Sequence, residues 1–97
     1  MKLVTIITEG LLKDQVIEIL KSHGTTGYTV TRAEGEGSRG VQASHWEGPN
    51  QRIESIVTPA MGDAIMESIA DKFFDDYSVI AWLSNVEVLR GEKFAAE

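Results

Sequence analysis

The chain has 97 residues, 42% of them hydrophobic and 25% charged, with a formal net charge of −6 and no cysteine. That length supports one domain with a modest core, for which self-association is a natural source of further burial. The acidic balance argues against a general nucleic-acid binder, and the missing cysteines exclude disulfides, thiolate nucleophiles and Cys-based metal centres. The first eight residues carry one Lys and a short apolar stretch, without the longer apolar centre and small-residue cleavage site of a secretion signal. No run approaches the ~18 apolar residues of a membrane span. A cytoplasmic protein is expected.

Leu3 to Thr8 alternates on both faces: Leu3, Thr5 and Ile7 against Val4, Ile6 and Thr8. A strand apolar on both sides is usually covered on both. Leu12, Val16, Ile19 and Leu20 then form a helical stripe, with Lys13, Asp14, Glu18 and Lys21 opposite and Gly24 where a helix-ending glycine belongs. Tyr28 to Ala33 is a second strand. It runs into Gly35-Glu36-Gly37-Ser38-Arg39-Gly40, a turn with two chemical readings. Its glycines allow backbone N–H groups to converge on an anion, Ser38 adds a donor, and Arg39 offers a planar fork to a phosphate or carboxylate. The other reading is a loop root with a solvated arginine.

Residues 36–51 lack periodicity and are rich in glycine and small polar residues, which suits a mobile, functional loop. Within it, Trp46 either docks on a partner or packs back on its own domain. His45 is either a surface histidine or, with Glu47 or His23, a metal ligand, although the spacing matches no recognised metal signature. Arg52 to Thr58 alternates again, with Ile53, Ser55 and Val57 opposite Glu54 and Ile56. Thr58-Pro59 is a helix start, and Met61, Ile65, Ile69 and Phe73 follow as a core stripe. Asp75 and Asp76 are either turn residues or a general acid/base or Mg²⁺ pair. Tyr77 to Leu83 and Val86 to Leu89 are expected as a fourth strand and a short fifth.

The order strand, helix, strand, long loop, strand, helix, strand predicts one α+β domain over residues 1–97. Its pattern is a ferredoxin-like βαββαβ sandwich with both helices on one face of an antiparallel sheet. Ile80 and Trp82 alternate with Val79, Ala81 and Leu83, so one of these two sets would be left in water on the other face. An exposed apolar sheet face predicts a partner, most simply a further copy of the chain.

Gly27-Tyr28-Thr29-Val30-Thr31 leading to Gly35-x-Gly37, the long loop, and Arg52 to Val57 resemble the PII signalling superfamily. Residues Lys72 to Ile80 and Val86 to Gly91 look closer to its PII-like branch linked to bicarbonate transport and carboxysomes. The resemblance implies a ferredoxin-like homotrimer that is a signalling protein, not an enzyme. Adenine nucleotides would lie in the clefts between subunits, and segment 36–51 would act as the T-loop that meets a partner, a transporter or carboxysome component, through His45, Trp46 and Glu47. By position Gly35, Gly37, Ser38 and Arg39 would meet phosphate, and Thr29 and Ile56 would lie near adenine and ribose. Ser38 and Arg39 would also take bicarbonate. Arg39 stands where nitrogen-regulatory relatives have a Mg²⁺-holding glutamine, which argues against Mg²⁺-dependent 2-oxoglutarate binding. The late arginine pair is replaced by Glu87 and Leu89, with Arg90 one residue off as the remaining candidate. With fewer cations and with Asp75 and Asp76 nearby, AMP, ADP or cyclic AMP would be favoured over ATP. The alternatives are a slow nucleotide-hydrolysing enzyme at the same cleft and a metal-tolerance trimer of related fold. No tightly bound cofactor, resident metal, nucleic-acid partner or membrane insertion is expected.

Overall fold

A computed structural model of the chain describes residues 1–35 and 50–92. Four strands form one antiparallel sheet: β1 (Lys2–Thr8), β2 (Thr29–Ala33), β3 (Asn50–Val57) and β4 (Ile80–Asn85), in spatial order β2-β3-β1-β4. A short 3₁₀ turn (Gly10–Leu12) leads into helix α1 (Lys13–Ser22), and α2 (Pro59–Phe73) connects β3 to β4. This is the expected ferredoxin-like βαββαβ arrangement.

Local chemistry sets the helix ends. The Gly24 N–H donates to the Lys21 carbonyl and the Thr25 N–H to the Leu20 carbonyl, at 3.0 and 3.3 Å. Gly24 has φ +81°, the left-handed conformation such a pair of bonds requires. At the start of α2, the Thr58 hydroxyl accepts from the Met61 N–H at 3.2 Å, and Pro59 occupies the first helical position, where its missing N–H costs nothing.

Both helices pack on one sheet face. Val4 and Ile6 from β1 and Ile53 and Val57 from β3 are buried there against Val16 and Leu20 of α1 and Ile65, Ile69 and Phe73 of α2. Gly62 lets α2 approach the sheet closely: a Cβ there would lie 3.1 Å from the Leu83 Cδ2.

Among the described residues no helix covers the opposite face. Register puts three rows across it: Thr31, Arg52, Ile7 and Ile80; then Thr29, Glu54, Thr5 and Trp82; then Ile56, Leu3 and Ser84. Ile80 is 61% exposed and Trp82 38%. The alternation in β1 and β4 thus divides as expected between a covered face and a bare apolar one.

Two strand expectations need correction. The fourth strand begins at Ile80 and ends at Asn85, because 74–77 is spent on a turn in which the Tyr77 N–H bonds the Phe73 carbonyl at 2.9 Å. The fifth strand over Val86 to Leu89 is not formed in the single chain. Beyond one bond from the Val86 N–H to the Met1 carbonyl, 3.1 Å, this stretch pairs with no strand among the described residues, and Leu89 is fully exposed. Val and Leu supply strand propensity, but a strand also needs a neighbour.

Candidate functional site

The chain leaves α1 through its glycine cap and enters β2 by way of Thr26 to Thr29. The Ser55 hydroxyl on β3 donates to the Gly27 carbonyl and so ties this approach to the sheet. Between the two lies an open cleft of about 340 Å³. Residues 26–29 form one wall, Glu54 to Ile56 the floor, and Leu3 the far side. Leu3, Tyr28 and Ile56 make the cleft apolar enough for a planar ring, while Thr29 and Glu54 add polar groups, the mixture typical of small-molecule sites. Thr29 and Glu54 face each other directly across the β2–β3 ladder, and Ile56 faces Leu3 across β3–β1. The Thr26 Oγ1 is buried and has no hydrogen-bond partner among the described residues.

Glu54 is held by two partners on one carboxylate oxygen. Its Oε2 accepts from the Thr5 hydroxyl at 2.8 Å and from the Arg52 guanidinium at 3.2 Å. The Arg52 guanidinium also lies 6.0 Å from the centre of the Trp82 ring, within range of a cation–π contact. Burial works to raise the carboxyl's pKa. The hydrogen bonds from Arg52 and Thr5 and the charge of Arg52 outweigh burial, so Glu54 titrates below the ordinary glutamate value and is ionised at neutral pH.

The expected site residues divide into three groups. Thr29 and Ile56 line the same cleft. Gly35 and Arg90 are described but do not line it: both are exposed, and Gly35 has open space where a side chain would project. Gly37, Ser38, Arg39, His45, Trp46 and Glu47 lie outside the described residues. Asp75 and Asp76 are exposed on the turn after α2. That turn meets the end of β1, where the Ser78 N–H donates to the buried Glu9 carboxylate at 3.4 Å. It therefore shares the sheet end from which β2 leads to Gly35. His23, one of the alternative partners for His45, instead bonds the Ser68 hydroxyl on α2 at 2.9 Å. Among the described residues no group of three or more His, Asp or Glu is placed to hold a metal ion, and no helix is long and apolar enough to cross a membrane.

The sequence reading missed Glu54 as a cleft residue and missed its link to Thr5, Arg52 and Trp82. A signal was present: Arg52 and Glu54 are charged residues two apart in a strand, on the face that the alternation leaves uncovered.

The sequence model of the family Nitrogen regulatory protein P-II matches residues 1–93. Among solved structures, a chain from Thermus thermophilus described as a PII-like signalling protein is 46% identical, with a TM-score of 0.83 over 96% of this chain and 93% of that one. CPII from Thiomonas intermedia, solved with ADP and bicarbonate, is 27% identical, with a TM-score of 0.82 over 96% and 92%. CPII solved with ADP, AMP and acetate has the same identity and coverage and a TM-score of 0.78.

Proposed function

The chain belongs to the Nitrogen regulatory protein P-II family, and from that premise we propose that it is a regulatory sensor of adenine nucleotide rather than an enzyme. AMP, ADP or cyclic AMP is preferred to ATP, bicarbonate is a co-ligand, and the sites lie between the subunits of a homotrimer. The observation that carries this reading is the cleft on the bare sheet face, where apolar Leu3 and Ile56 adjoin the hydroxyl of Thr29. In CPII, a relative of the same fold, the bound ligands are ADP and bicarbonate.

The spacing along β2 supports a site shared between chains. Gly35 lies six positions beyond Thr29, up to about 20 Å of extended chain at ~3.3 Å per residue, longer than a nucleoside diphosphate. One chain would supply the base end, and the Gly35, Gly37, Ser38 and Arg39 turn of a neighbour the phosphate end, with Arg90 as a further cation. Arg39 and Ser38 would take bicarbonate beside the phosphate, the arginine through its fork. Asp75 and Asp76, at the same sheet end as Gly35, add negative charge against a third phosphate. Ligand at the root of segment 36–51 would bias the conformations that present His45, Trp46 and Glu47 to a partner in inorganic-carbon metabolism, by as much as the ligand distinguishes those states.

A thermal-shift panel of AMP, ADP, ATP and cyclic AMP, each with and without bicarbonate, tests the proposal, since a ligand that binds only the native state raises Tm. ADP, AMP or cyclic AMP should raise Tm more than ATP at equal concentration, and bicarbonate should add to the shift. No shift with any nucleotide refutes the sensor.

A further inference from the structure

We infer that Ser55 is a positioning residue for the cleft: its bond to the Gly27 carbonyl sets the wall formed by residues 26–29, and through that wall the affinity of the site, although its hydroxyl meets no ligand. This rests on the proposed adenine-nucleotide site and adds to it a residue that acts from behind the wall.

The place of Ser55 in β3 is unusual for a serine. Ile53 and Val57, on the same face of the strand, are fully buried, and Ser55 between them is 3% exposed. Its cross-strand partner is Val4, a core residue of the helix-covered face. The alternation calls for an apolar side chain there. A hydroxyl buried at such a position is destabilising unless it is bonded, and this one donates to the Gly27 carbonyl. Glu54 and Ile56 project from the opposite face of β3. Ser55 therefore gives the cleft floor its backbone, while its side chain is committed to the wall.

The wall depends on such a tie. The β2–β3 ladder stops at Thr29 opposite Glu54. At the other end, the cap of α1 closes with the bond from the Thr25 N–H to the Leu20 carbonyl. Thr26, Gly27 and Tyr28 lie between these fixed points, outside helix and strand. Gly27 has open space where a side chain would project, so packing does not fix it. The buried Thr26 hydroxyl has no partner. Among the described residues, the bond from Ser55 is the one side-chain hydrogen bond to this stretch. Releasing it frees the wall to leave its bound position. A site whose competent form is populated for a fraction of the time binds more weakly by that fraction.

Hydrogen exchange and calorimetric titration with ADP, each on wild type and Ser55→Ala, test this. Loss of one hydrogen bond should weaken ADP binding by about two- to ten-fold. Without ligand, the amides of residues 26–29 should exchange faster in Ser55→Ala, by a larger factor than those of β1. Saturating ADP should restore most of that protection, because ligand selects the wall's bound position. A hydroxyl that served the fold alone would leave ADP affinity unchanged and speed exchange in β1 as much as in the wall. Either of those results overturns the inference and leaves the nucleotide site standing. If wild type binds no ADP, the nucleotide site fails and the inference with it.

Discussion

Ile80 lies on the bare face of the sheet, opposite Ile7 and 61% exposed in the single chain. Fully burying an isoleucine stabilises by about 1.5–3 kcal/mol, so covering the exposed part contributes about 1–2 kcal/mol per chain. In a symmetric trimer the residue occurs three times, and Ile80→Ala should weaken assembly by about 3–6 kcal/mol per trimer. At 1.4 kcal/mol per factor of ten, that moves the dissociation equilibrium by about two to four orders of magnitude. Within one chain the substitution removes little packing and should change the fold's own stability by no more than about 0.5 kcal/mol. Sedimentation velocity over a dilution series reads the difference: wild type near three chain masses, and the variant dissociating at far higher concentration. An Ile80→Ala dilution profile that matches wild type would refute the assignment of this face to the interface. A wild-type monomer at micromolar concentration would remove the trimer and the shared cleft together.

Further substitutions probe the cap, the charged cluster and the nucleotide site. Thr58→Ala removes the bond that caps α2 and should lower stability by about 1 kcal/mol in urea denaturation. The folded pKa of Glu54 is depressed, so its contribution is complete above the unfolded value of about 4.3 and disappears as pH falls through the folded value. Glu54→Gln should therefore be the less stable protein at pH 7, with the gap closing in acid; a gap constant from pH 7 to pH 3 contradicts the pairing with Arg52. Arg39→Ala should weaken ADP binding by ~1.5–3 kcal/mol in calorimetry, and Arg39→Lys should recover only part because lysine lacks the fork. Replacing Asp75 and Asp76 with Asn should improve ATP binding more than AMP binding; equal gains would show that these charges do not set selectivity.

The fold was legible in the sequence wherever a single physical signal dominated. Period-2 alternation in Leu3 to Thr8 and Arg52 to Val57 sorted the residues into two faces one by one, and the structure shows which of the two the helices cover. The Thr58-Pro59 cap and the Gly24 stop marked helix ends through local hydrogen bonding that needs no tertiary partner. Val86 to Leu89 reads as a strand but has no strand beside it among the described residues of one chain, and pairing is not encoded in the paired residues alone. The start of the fourth strand was misplaced for a related reason: Tyr77 is a good strand former, yet its N–H closes a turn on Phe73. At the cleft, the family resemblance alone pointed to Thr29 and Ile56. Glu54 was missed because its environment is tertiary. Thr5 is 49 positions away in sequence, and Trp82 reaches the same row only through the β1–β4 register.

The most direct test is a crystal structure of the protein grown with ADP and bicarbonate. The account predicts a trimer with the adenine ring in the cleft, against Leu3 and Ile56 and beside Thr29, and the phosphates at Gly37, Ser38 and Arg39. ADP bound elsewhere with this cleft empty, or none bound at millimolar ADP, would contradict it.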